Sequence, residues 1–207
     1  MIAIIDYGLG NLTSVKNALD FLGTESEITN NISKIEKADK IILPGVGAFG
    51  YGMENLKKLG LIEVLHKEVI VNKKPFLGIC LGMQLICKKS YEEGEFEGLA
   101  WIDAEVIRFN SESEKLLVPH VGWNEVVCNL ASPILIGGNR EQTFYFVHSY
   151  YPDVKDKNLV VGWCDYGVKF AAVLQKENIF AVQFHPEKSQ TEGLEILRKF
   201  AEIHSYA

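Results

Sequence analysis

The chain carries no surplus of positive charge. Lysine and arginine together number 21 against 27 aspartates and glutamates, the formal net charge is −6, and the basic residues are scattered. Binding a phosphate backbone calls for a clustered basic stripe, so nucleic acid is not an expected partner. A long hydrophobic run is also missing. The apolar start meets Asp6 after five residues, far short of the roughly 20 that cross a bilayer and without the basic start of a signal peptide. No membrane partner is expected, and a cytoplasmic location is. Cysteines are few, and Cys80, Cys87, Cys128 and Cys164 form no C-x-x-C pair, which argues against a disulfide scaffold and leaves four free thiols. With neither paired cysteines nor H-E-x-x-H, no metal or other cofactor is expected. Linkers, low-complexity tracts and internal repeats are absent, so 1–207 is taken as one domain.

Hydrophobic residues make up 47% of the chain and charged ones 23%, enough for a substantial core. The first half alternates short apolar runs with helical patterns. "IAIID" (2–6) leads through a turn into "LTSVKNALDFLG", where Leu12, Val15, Leu19 and Leu22 recur at helical spacing, with Asn11 placed to cap the start and Gly23 the end. "KIILPGVGAFG" (40–50) predicts a buried strand opening into a glycine-rich loop, and "ENLKKLGLIEVLHKEVIVNK" a helix. "PFLGI" predicts a strand and "LGMQLICKK" a helix. The second half is rich in strand-like segments, including "GLAWIDAEVIRFN", "PHVGWNEVV", "TFYFVHSYY", "FAAVLQK" and "IFAVQFHP", before a closing helix near 191–204. This pattern predicts an α/β fold with a mixed, mainly parallel central sheet flanked by helices.

Gly78-Ile79-Cys80-Leu81-Gly82 has the form G-x-C-x-G between a predicted strand and a predicted helix. With serine at the centre this is the nucleophile elbow, whose glycines let neighbouring chain pack around a strained turn. Cysteine there gains stabilisation of its thiolate from the first N–H groups of the helix. A buried cysteine at an ordinary strand end explains the pentapeptide equally well. A thiolate nucleophile needs a base, and the base an orienting group. His66 and His204 sit in polar helical patterns, whereas His185 ends a β-rich run and Glu187 follows two residues later. In extended chain the two point to one side, and Pro186 disfavours helix at His185. A Cys80, His185, Glu187 triad stands beside the plainer reading of a surface H-P-E turn. Oxyanion donors are sought at the Leu81 N–H and in "PGVG" (44–47), which by itself is an ordinary β-to-α turn.

"PGVG", "GICLGMQL", "PHVGWNEV", "YFVHSYY" and "QFHPEKS" occur in the order and at about the spacing of the class I, or triad, glutamine amidotransferases, and the resemblance spans essentially all of 1–207. It implies a flavodoxin-like core in which Cys80 attacks the glutamine side-chain amide, His185 serves as base and then acid, and Glu187 orients His185. It implies oxyanion donors at Val46, Gly47 and Leu81. Gly45, Gln84, His148, Ser149 and Tyr150 would hold the substrate. "PHVGWN" and "FHPEKS" resemble most the glutaminase subunits of histidine biosynthesis, which pass ammonia to a cyclase subunit with a (β/α)₈ barrel in a heterodimer. Asn11, Pro119, Trp123, Asn124, Tyr145 and Lys188 would then lie on or near the interface, although Trp123 and Tyr145 also suit a core and Lys188 a solvated surface. Relatives within the family supply ammonia for surface-sugar amidation, and the sequence leaves that alternative open. A γ-glutamyl peptidase using the same triad, or a dinucleotide module built on "DYGLGN", competes more weakly; the latter lacks the third glycine and an acidic ribose partner.

Overall fold

The computed structural model describes residues 1–110, 116–128, 132–135 and 141–204. The stretch 129–142, which offers no motif, lies largely outside them. The three apolar runs become β1 (Ile2–Ile5), β3 (Lys40–Gly45) and β4 (Phe76–Cys80). Every residue of β1 and β4 is buried, as expected for parallel strands covered on both faces. Two short elements that the sequence pattern does not announce, β2 (Ser26–Thr29) and the helix α2 (Ile32–Lys37), lie between β1 and β3 and follow α1 (Leu12–Phe21). After β4 come α5 (Leu81–Leu85), preceded in the chain by α3 (Phe49–Lys58) and α4 (Leu61–His66), and then the strands β5 (Cys87–Ser90), β6 (Phe96–Glu97) and β7 (Ile102–Arg108). The remaining strands are β8 (His120–Cys128), β9 (Glu141–His148), β10 (Tyr150–Val154), β11 (Val160–Asp165), β12 (Lys169–Lys176) and β13 (Ile179–Val182), closed by α6 (Gln190–Glu202).

Two sheets result. The larger runs β2-β1-β3-β4-β13-β12-β11-β8-β9 and the smaller β10-β7-β5-β6. From β2 to β13 the neighbours are parallel, and from β13 to β9 they are antiparallel. Alternate side chains of the parallel half feed two cores. Ile2 and Ile4 join Val15 and Leu19 of α1 and Ile196, Leu197 and Phe200 of α6. Ala3 and Ile5 join Leu56 of α3, Leu61 and Leu65 of α4, and Ile102 and Ala104 of the smaller sheet. Each of these larger side chains contributes about 1.5–3 kcal/mol on burial, and the alanines less.

Several sequence expectations change. The helix expected over 54–73 is broken at Gly60, whose φ of 66° ends α3, and α4 passes into a π-helical turn over Lys67–Val71. Phe49 and Gly50 belong to α3 rather than to the preceding loop. The helix expected over "LGMQLICKK" stops at Leu85 because its free carbonyls are claimed from outside: Leu99 N–H bonds to Leu85 O, Trp101 to Ile86 O and Ala100 to Cys87 O. From Cys87 the chain therefore continues as a strand. Asn11 occupies the cap position of α1, yet its side chain makes no cap bond, its ψ of 64° lying away from the extended backbone that aims a capping oxygen inward. "TFYFVHSYY" is two strands, β9 in the larger sheet and β10 in the smaller, parted at Ser149.

Candidate active site

The sheet brings three strand ends together. Cys80, the last residue of β4, is paired with Gly45, the last of β3, while Ile79 is paired with Val182, the last of β13, three residues before His185. Cys80 has φ 51° and ψ −105°, a conformation that non-glycine residues rarely adopt and that marks strained functional turns. The flanking glycines are steric requirements of this corner. A Cβ on Gly82 would stand 1.8 Å from the Leu43 carbonyl oxygen, and one on Gly78 would stand 2.8 Å from that of Gly82. The Cys80 Sγ lies 4.0 Å from Val147 O and 3.7 Å from Gln183 Nε2. Burial pushes the other three thiols up, Cys128 to about 11 and Cys164 to about 12, so that Cys87, Cys128 and Cys164 behave as small apolar side chains.

His185 keeps an extended backbone, but Pro186–Lys188 closes a 3₁₀ turn instead of continuing the strand. Its Nδ1 still stands 2.8 Å from Glu187 Oε1, with both side chains almost fully buried. Ser189 pins the turn, its hydroxyl donating to His185 O at 2.6 Å and accepting from Tyr145 N–H at 3.0 Å. Phe184 stacks on Phe144 at 3.8 Å and anchors the turn from beneath. Burial opposes charge on the His185 ring, but the adjacent Cys80 sulfur and Glu187 carboxylate outweigh it and hold the pKa above the ordinary imidazole range. Among the described residues the buried His185 Nε2 has no hydrogen-bond partner, a costly state for a polar atom and one that reactive sites retain. A thiol beside an imidazole whose far nitrogen is held by a carboxylate is suited to nucleophilic acyl transfer.

A cleft of about 240 Å³ opens at this corner, lined by Val46, Gly47, Cys80, Leu81, Gln84, Glu92, Val147, His148, Ser149 and Tyr150. It gathers the expected oxyanion and substrate residues with one exception. Gly45 is buried beneath the loop, where a Cβ would stand 2.1 Å from Tyr7 Oη. Gly47 has φ 115°, open to glycine alone. Gln84 donates through Nε2 to Tyr150 O at 2.9 Å and to Gln183 Oε1 at 3.2 Å, fixing the cleft floor. Among the described residues, no group of three or more His, Cys, Asp or Glu side chains could hold a metal ion.

Two residues of this site have no role in the sequence-based set. Glu92, half-buried in the cleft wall, accepts the Phe49 N–H at 2.7 Å, at the start of the helix that follows the 44–47 loop. Gln183 is fully buried between Cys80 and Gln84; the trace it leaves in the sequence is a lone amide in the apolar run "FAVQF".

The expected interface set divides. Trp123 and Tyr145 are paired across β8 and β9 with their rings edge to face at 6.1 Å, and Lys188 Nζ lies 5.8 Å from the Tyr145 ring. Trp123 is 48% exposed, and Val121 and Val127 are exposed at alternate positions of the same strand. Pro119 is exposed as well, and Asn11 half-buried. Asn124 faces the other way, because alternation along β8 turns it inward to His120.

A model of the glutamine amidotransferase class-I family matches residues 3–203. The chain is 51% identical over 203 residues to imidazole glycerol phosphate synthase subunit HisH 1 of Campylobacter jejuni subsp. jejuni serotype O:23/36 (strain 81-176), covering 98% of this chain and 100% of that one. It is 46% identical over 203 residues to subunit HisH 2 of Pseudomonas aeruginosa, with the same two shares covered. Among solved structures, that of PurLQS from Thermotoga maritima shares the fold, with a TM-score of 0.74 at 17% identity over 96% of each chain. No described helix is long and apolar enough to cross a membrane. By the family match and full-length identity alike, this chain belongs to the class I glutamine amidotransferases.

Proposed function

We propose that this chain is the glutaminase subunit of an imidazole glycerol phosphate synthase, a single cytoplasmic domain that hydrolyses glutamine and passes the ammonia to a cyclase subunit for histidine biosynthesis. The observation that carries the reading is Cys80 in its strained corner beside His185, whose Nδ1 is held at 2.8 Å by buried Glu187. With its proton already held on His185 Nε2, the Cys80 thiolate attacks the carboxamide carbon of glutamine. N–H groups of Leu81 and of the loop carrying Val46 and Gly47 receive the oxyanion. His185 returns the proton to the departing nitrogen, so ammonia leaves and a γ-glutamyl thioester remains. Water, deprotonated by His185, then cleaves the thioester to glutamate and restores the thiol. Glu92, the one carboxylate lining the cleft among the described residues, faces the substrate α-ammonium, and Gln84 with the Ser149–Tyr150 backbone holds the amino-acid end. The partner, a (β/α)₈ barrel, docks on the exposed Trp123 and Lys188 and the half-buried Tyr145 and takes ammonia before it diffuses away.

The test is glutamate release by the chain alone and together with the cyclase subunit and its nucleotide ligand. Cys80→Ala abolishes glutamine-dependent turnover of the complex and leaves turnover on ammonium salts; loss of both contradicts the reading. A second reading has its own observation. The Campylobacter and Pseudomonas relatives are numbered HisH 1 and HisH 2, so such subunits occur in more than one copy, and an additional copy is available to supply a surface-sugar amidation. Activation by that pathway's barrel subunit and not by the histidine cyclase would select it.

A further inference from the structure

His120 and His148 are 3% and 6% exposed, and the thioester chemistry uses neither imidazole. Their hydrogen bonds admit one arrangement of protons. Tyr150 O can only accept, so His148 Nδ1, 2.8 Å away, carries a hydrogen and its Nε2 accepts from His120 Nδ1 at 3.1 Å. His120 Nε2 must then accept, and Asn124 Nδ2 stands 3.3 Å from it. The far end agrees independently. Asn124 Oδ1 takes the Glu125 N–H at 2.8 Å, and Asn124 Nδ2 also donates to Asp165 O at 2.9 Å, so the amide is fixed with its nitrogen toward the ring. His120 has no room to rotate, lying nearly parallel to Tyr166 at 4.0 Å and to Phe146 at 4.9 Å.

The chain ends where the site needs rigidity. Tyr150 O is shared with Gln84 Nε2, and Tyr150 opens β10 in the smaller sheet just after β9 leaves the larger one at His148. The segment that lines the substrate end of the cleft is thus also the crossover between the sheets. We propose that His120 and His148 form a positioning relay that holds the Ser149–Tyr150 crossover in its glutamine-binding geometry, tying it through Asn124 to the strand that carries Trp123. This inference rests on the glutaminase reading. Burial keeps the relay uncharged, lowering His120 to about 4 and His148 to about 3, the latter although its bond to the Tyr150 carbonyl favours charge. The titratable groups facing the pair are His185 and Tyr166.

The experiment replaces His120 in the assembled complex. His120→Phe preserves the aromatic packing and removes the relay; KM for glutamine rises about fivefold to tenfold, the worth of one or two neutral hydrogen bonds, while kcat changes less than twofold and ammonium-dependent turnover not at all. His120→Asn, which keeps a donor near the Nδ1 position, returns KM most of the way. In ¹⁵N spectra of the wild-type chain both rings are neutral with the proton on Nδ1 at pH 7. An unchanged KM in His120→Phe, or an Nε2–H ring on either histidine, overturns the relay while the glutaminase reading stands. A wild-type complex that releases no glutamate overturns that reading itself, and the relay with it.

Discussion

Glu92 is proposed to serve two masters, and the two can be separated. It caps α3 through the Phe49 N–H at 2.7 Å, replacing the capping side chain that Ala48 cannot supply, and it faces the substrate ammonium. A hydrogen bond to a charged group contributes about 1.5–3 kcal/mol. The lower figure applies, because Glu92 is half-exposed and burial already raises its pKa. At roughly 2–4 °C per kcal/mol for a chain of this size, Glu92→Ala lowers the melting midpoint by about 3–6 °C. Losing the ammonium contact raises KM for glutamine by about tenfold to a hundredfold, the equivalent of 1.4–2.7 kcal/mol. Ala48 has an extended backbone, φ −82° and ψ 143°, suited to a capping serine. Adding Ala48→Ser to Glu92→Ala therefore recovers about 1 kcal/mol, or 2–4 °C, and none of the KM. Thermal melting and steady-state kinetics on the single and double variants decide the matter. A melting point indifferent to Glu92→Ala refutes the capping role, and recovery of KM by the serine refutes the ammonium contact.

Two further outcomes follow from the same geometry. His120 and His148 have lower pKa values folded than the ordinary 6.5, so as pH falls the unfolded chain takes up protons first. Stability is lost from about pH 6.5 down to about 4 and 3, by at most ~1.4 kcal/mol per unit for each group. His120→Phe removes one of those protons, and urea titrations between pH 6.5 and 4 should show a shallower decline than wild type; parallel curves contradict the assignment. At the surface, Trp123→Ala should weaken binding of the cyclase subunit by about 2 kcal/mol, near thirtyfold, with turnover unchanged at saturating partner. Undiminished affinity by calorimetry would remove Trp123 from the interface.

What the sequence made legible has a physical pattern. "IAII" and "FLGIC" announce buried strands because both of their faces are covered, and G-x-C-x-G announces the corner because a Cβ at Gly82 would collide with backbone. Features decided by distant chain stayed hidden. The "LICKK" segment turns from helix to strand because the backbone of 99–101 captures its carbonyls. Glu92 sits in "SYEEGEFEG" among Glu93, Glu95 and Glu97, and local spacing does not distinguish the carboxylate that reaches Phe49. Alternation is legible as well: with Trp123 outward, Asn124 on the same strand turns toward His120.

The pairing of Gly45 with Cys80 and of Ile79 with Val182 has a consequence for how such an enzyme can change over time. The strand ends that carry Cys80, His185 and the 44–47 loop are set side by side by ladder hydrogen bonds at the centre of the sheet. Variation in peripheral segments therefore leaves the reactive distances untouched, and lineages are free to rework their docking edges for new ammonia acceptors. A single-residue insertion within β4 or β13 is another matter, since it turns every later side chain to the opposite face. Descent with modification is thus open at the rim and closed at the centre.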